Sequence, residues 1–168
     1  MSNPKVKIVV KGHGTMIAEL YPDMAPKTVE NFVKLVNEGF YSGMIFHRVI
    51  PGFMIQGGGF TEDYQQKEAA SIKGEFRANG FAQNTLKHTR GVLSMARTMI
   101  PDSASSQIFI MHQNSPHLDG QYAGFGKVIE GEEVIDSIAN VETTTKMMYY
   151  QDWPVDDVVI ESMEMLCD

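Results

Sequence analysis

The run Phe46-His47-Arg48-Val49-Ile50-Pro51-Gly52-Phe53-Met54-Ile55-Gln56-Gly57-Gly58-Gly59 holds the side chains with the most chemical potential in this sequence. Arg48 carries a permanent cation whose planar fork presents several donors in fixed directions. Gln56, and Gln107 further along, each offer an amide that both donates and accepts. Phe53, Met54, Phe109 and Leu118 are two aromatics, a flexible thioether and an aliphatic group, a set suited to an apolar socket. Together these types serve non-covalent chemistry: holding an apolar group and aiming a donor at it. Taken singly, each has a plainer use. A lone arginine is usually a solvated surface residue, large apolar side chains are usually core, and glutamines commonly satisfy buried backbone groups.

Covalent and metal chemistry are poorly served. None of the five histidines stands in a His-Glu-x-x-His pattern, and His112 and His117 have no carboxylate at ligand spacing, so no metal site is expected. Ser94, Ser103, Ser105 and Ser106 occupy no nucleophile-elbow pattern, and nothing in the sequence suggests a triad. Gly57-Gly58-Gly59 lacks the lysine and hydroxyl of a phosphate loop; a turn or bulge beside the site is the expected role. The twelve methionines read mostly as core filler. No cofactor is called for.

The elements that must position these residues follow from hydrophobic period. Lys5 to Lys11 alternates with Val6, Ile8 and Val10 on one face, Gly12-His13-Gly14 turns, and Thr15 to Tyr21 alternates again, predicting a β-hairpin. Pro26 suits a first helical turn, Val29, Phe32, Val33 and Val36 fall on one stripe, and Gly39 stops the helix. A second helix is predicted from near Gly131 to near Asn140, with Glu132 and Glu133 in its first turn and Val134, Ile135 and Ile138 inward. Gly91 to Met95, Gln107 to Met111, Tyr122 to Val128 and Asp156 to Met165 read as strands. Thr61 to Lys87 is polar and weakly periodic, hence long loops. Many short strands with two helices predict a mainly β fold, a closed antiparallel barrel with helical caps.

The 168 residues suffice for one hydrophobic core, so a single domain over residues 1–168 is expected. A net charge of -7 disfavours nucleic acid and anionic lipid as partners. The first residues lack a signal-type apolar stretch, no run approaches the roughly 18 apolar residues of a membrane span, and the sole cysteine, Cys167, can form no internal disulfide. A cytoplasmic protein acting as a monomer is expected.

With these residues in view, the chain resembles the cyclophilins, and its bacterial branch in particular. The resemblance rests on Phe46 to Gly59, supported in order by Gly91-Val92-Leu93-Ser94-Met95-Ala96-Arg97, Ser106-Gln107-Ile108-Phe109-Ile110, Leu118-Asp119-Gly120 and Phe125-Gly126-Lys127-Val128. It implies an eight-stranded antiparallel β-barrel capped by two α-helices, and peptidyl-prolyl cis-trans isomerase activity on proline-containing peptides and on unfolded or folded proteins. It further implies Arg48 as the catalytic donor, a proline socket of Phe53, Met54, Phe109 and Leu118, and Gln56 and Gln107 as orienting amides. The backbone at Ala96 and Arg97 would take the substrate main chain, with His47 and Tyr122 on the rim. Eukaryotic members of that family commonly carry tryptophan where this chain has His117, so only weak cyclosporin binding is expected.

Overall fold

In the computed structural model, residues 3–67 and 69–166 are described, and Cys167 lies outside them. The opening hairpin forms from β1 (Lys5–Val10) and β2 (Gly14–Leu20). Its register pairs Val6 with Ala18 and Ile8 with Met16, all without solvent exposure, which is the buried half of the expected alternation. Six more strands complete one antiparallel sheet: β3 (Met44–Ile50), β4 (Met54–Thr61), β5 (Val92–Met95), β6 (Ile108–Met111), β7 (Gly124–Glu130) and β10 (Ile160–Leu166), in the order β10-β1-β2-β7-β5-β6-β4-β3.

The sheet curls until β3 approaches the chain just before β10, but the seam is not a ladder. One isolated bridge, Ile45 to Val159, and the bonds from Gly43 N to Ile160 O (2.8 Å) and Phe46 N to Val158 O (2.9 Å) join the two edges. The expected closed barrel is therefore corrected to a strongly curled eight-stranded sheet with a short seam. A separate hairpin of β8 (Thr143–Lys146) and β9 (Tyr150–Pro154) was not evident from sequence. β8 has no buried face, so hydrophobic period cannot reveal it. The hairpin is fastened by Trp153, fully buried against Ile45 and Phe60.

Helix α1 (Pro26–Asn37) buries Val29, Phe32, Leu35 and Val36, while Val33 is only partly covered. Its first N–H groups receive no cap from Ala25. The buried Glu75 carboxylate substitutes, accepting from Thr28 N (2.6 Å), Thr28 Oγ1 (2.7 Å) and Lys27 N (3.3 Å). Free N–H groups and the positive end of the helix dipole both favour an anion there. Within the stretch expected as long loops, Thr61 instead ends β4, Gln66 bridges to Phe60 and Arg77–Asn79 forms a 3₁₀ turn, while Glu75 ties the stretch to α1.

Helix α2 (Glu132–Ala139) buries Val134, Ile135 and Ile138, as the stripe predicts. It begins after Gly131, whose φ is +82° and whose Cβ, if present, would lie 2.2 Å from Thr15 O. No helix among the described residues is long and apolar enough to cross a membrane.

Candidate active site

The β3–β4 hairpin sets the geometry. Ile50 pairs with Met54 around the Pro51-Gly52-Phe53 turn, and Arg48 stands opposite Gln56. Arg48 Nη1 donates to Gln56 Oε1 at 3.3 Å, and Gln56 Nε2 donates to Gln107 Oε1 on the neighbouring strand segment at 2.8 Å. This chain of bonds restrains an otherwise exposed guanidinium. Between Phe46↔Gly57 and Met44↔Thr61, β3 advances two residues and β4 four, so the glycine run lies in a bulge, as expected. Gly59 has a second use there: a Cβ on it would meet the Gln107 side chain at 2.5 to 2.7 Å.

Beside Arg48 and Gln56 opens a cavity of ≈ 130 Å³. Phe53, Met54, Phe109 and Leu118 form its apolar part; Ala96, Arg97 and Tyr122 complete the lining. A void of roughly 150 Å³ accepts benzene, so this one has the size for a five-membered ring. Phe53 is held from behind: His112 N donates to Phe53 O (2.9 Å) and Gly52 N to His112 Nδ1 (2.8 Å). His112 Nε2 therefore carries its proton toward Asp136, 3.0 Å away on α2. Arg90, bonded to both Asp136 oxygens (2.8 and 2.9 Å), holds that carboxyl below its ordinary range. The carboxylate that sequence spacing denied His112 arrives from another element, as an anchor.

Arg97 uses its side chain structurally. Its guanidinium lies 4.6 Å from the Tyr122 ring centroid and 4.7 Å from that of Phe76, and donates to Gln121 O (2.6 and 3.2 Å) and Thr98 O (2.9 Å). The Ala96 N–H is engaged with Gln107 O at 3.0 Å. Gln56, Ala96 and Arg97 also border a second, polar hollow of ≈ 200 Å³, which takes in Gln107, Gln66, Thr98, Ser103 and Ser105. Gln107 thus stands one bond behind the apolar cavity.

His47 must be corrected. It is the extra residue where β3 bulges between Phe46 and Arg48, and it does not line the cavity that Arg48 borders. Its ring is buried, 4.8 Å from Phe60 and 5.6 Å from Trp153, with Nδ1 unpartnered. Burial, with Arg48 adjacent, lowers its pKa to about 4. His117 lies on the rim, exposed, its ring stacked on Phe53 at 6.0 Å. Among the described residues, no three His, Cys, Asp or Glu side chains gather as a metal site.

One arrangement had no signal in the sequence: His88, Ser94 and Asp119, far apart in the chain, form a hydrogen-bonded row behind Phe109. Ser94 is 0% exposed, so the row cannot act on an external carbonyl.

Residues 5–165 match the model of the family described as cyclophilin type peptidyl-prolyl cis-trans isomerase/CLD. A "Peptidyl-prolyl cis-trans isomerase" of Acinetobacter baylyi is 48% identical over 158 residues, covering 90% of this chain and 80% of the relative. "Peptidyl-prolyl cis-trans isomerase B" of Escherichia coli is 44% identical over 160 residues, covering 90% and 93%. A crystal structure of a Cryptosporidium parvum cyclophilin type isomerase, determined in the presence of the dipeptide Ala-Pro, superposes with a TM-score of 0.78 at 29% identity and covers 98% of this chain and 99% of the other. A curled antiparallel sheet with an arginine restrained beside a ring-sized apolar cavity, matched in sequence along nearly its whole length, places this chain in the cyclophilin-type peptidyl-prolyl cis-trans isomerase family.

Proposed function

We propose that the cavity takes the proline ring of an X-Pro segment and that Arg48 accelerates rotation about the preceding peptide bond. Rotation breaks amide resonance against a barrier of about 18 to 20 kcal/mol, and without catalysis takes roughly tens to hundreds of seconds. In the twisted state the proline nitrogen becomes pyramidal and regains a lone pair. A donor aimed at that nitrogen stabilises the twisted state more than either planar one, so no bond need be cleaved.

The carrying observation is the Arg48–Gln56–Gln107 chain at the cavity's edge. It holds the cationic donor ready, so that little reorganisation is needed when charge develops. Phe53, Met54, Phe109 and Leu118 would hold the ring, the Ala96 carbonyl and Arg97 peptide the substrate main chain, and Tyr122 and His117 the rim. The reading extends to X-Pro bonds in folding proteins, whose exposed proline segments present the same group.

The test is exchange NMR on a short X-Pro peptide with catalytic amounts of folded wild type, Arg48→Ala and Arg48→Lys. Loss of an oriented charge-stabilising donor typically costs about a hundredfold to a thousandfold in rate. Arg48→Ala should lose at least the lower figure while still binding peptide, and Arg48→Lys should recover little, since a point charge cannot keep the fork's geometry. A wild type that binds the peptide but leaves exchange at the uncatalysed rate would make this a proline-binding module.

A further inference from the structure

His88 is 1% exposed and engaged at both ring nitrogens. Nδ1 lies 3.2 Å from Asp119 Oδ1, and Nε2 lies 2.8 Å from Ser94 Oγ. A carboxylate oxygen accepts, so the proton belongs on Nδ1, and Nε2 accepts from the serine hydroxyl. Burial lowers the imidazole pKa against the opposing pull of Asp119, which suits this neutral form. The order Asp–His–Ser is that of a nucleophilic triad. With Ser94 sealed from solvent, it can transmit position but cannot attack.

The ring touches what forms the cavity. Its face stacks on Phe109 (5.9 Å, 18° between planes) and its edge meets Tyr122 (6.5 Å, 74°), while Phe109 and Tyr122 meet edge-on at 5.7 Å. Its backbone is fixed as well: His88 N donates to Asp119 Oδ1 (2.6 Å), and His88 O accepts from Ser115 N (2.9 Å). Asp119 directly follows Leu118, and Ser94 precedes Ala96 by two residues on the β5 edge of the cavity. One buried ring therefore joins three walls: β5, β6 and the 115–122 segment.

We propose that His88 is a positioning residue for the isomerase reaction, its single tautomer fixing the plane of Phe109 and the place of Leu118 so that a bound proline stands at the correct depth for Arg48. It touches no substrate. Restraint of this kind matters because small displacements at a reacting centre cost rate out of proportion to binding. The inference rests on the proposed function, and the wild-type exchange measurement tests that function separately.

Two measurements decide it. Long-range proton–nitrogen NMR on the unaltered protein should find the His88 proton on Nδ1 at neutral pH; a proton on Nε2 would overturn the proposal without any variant. Ser94→Ala removes only the hydroxyl donor, and His88→Phe keeps a stacking ring without its bonds. With each shown folded, kcat should fall about fivefold to tenfold, the equivalent of one hydrogen bond, with KM within about twofold. The Phe109 ring signals should shift in parallel. Catalysis by wild type with kcat unchanged in both folded variants would also overturn the proposal, and no catalysis by wild type would instead refute the functional reading beneath it.

Discussion

Replacing His47 by phenylalanine should change how stability depends on pH. In the native state the imidazole is buried among Phe60 and Trp153 and accepts a proton only near pH 4, against an ordinary value of 6.5. In the unfolded chain it protonates near the ordinary value. Between the two, the unfolded state binds more protons, so stability is fully present above about pH 6.5 and is lost as pH falls toward 4. The slope approaches about 1.4 kcal/mol per pH unit, and the whole window from 6.5 to about 4 amounts to about 3 kcal/mol. His47→Phe keeps an aromatic ring, removes the unpartnered nitrogen and cannot titrate. Urea unfolding of both proteins across this range, with equal m-values, isolates the residue from the other acid-sensitive groups, since those contribute to both curves. Wild type should lose about 3 kcal/mol more than the variant. Parallel curves would refute the reasoning, since they would mean that His47 reaches water or a partner when protonated.

Gly59→Ala should drive Gln107 aside and disconnect it from Gln56, lowering kcat about fivefold, the equivalent of one neutral hydrogen bond; Gln107→Ala should match it, and kinetics of both variants would expose any disagreement. Trp153→Ala should cost about 3 to 5 kcal/mol in denaturant unfolding, because a fully buried ring leaves a large void, while a peptide still binds the folded fraction with unchanged affinity. His117→Trp should tighten cyclosporin in calorimetric titration by adding indole contact area on the Phe53 rim, with little change in exchange of a short peptide.

Much of the architecture was legible because local period reports burial. Val6, Ile8 and Val10 announced β1, and Val134, Ile135 and Ile138 announced α2, since each element covers one face and its sequence must repeat accordingly. The β8–β9 hairpin escaped because its strands have no such repeat and hold through contacts from distant segments, with Trp153 and Tyr150 packed on Phe60 and Lys146 bonded to Tyr64. The cavity's apolar residues were identified through their joint match to a family pattern, as nothing in a lone phenylalanine or methionine distinguishes socket from core.

Sequence by itself determined the inventory: an arginine, two amides, apolar groups for a socket, and no histidine pattern for a metal. Tertiary structure decided which of these face one another. It buried His47 against Phe60 and Trp153 at a bulge in β3, away from the cavity, and gave Gln107 the task of holding Gln56. It also brought His88, Ser94 and Asp119 into one row from separate segments. Local periodicity encodes which side of an element is buried, whereas the meeting of two distant side chains depends on strand order, register and the curl of the whole sheet.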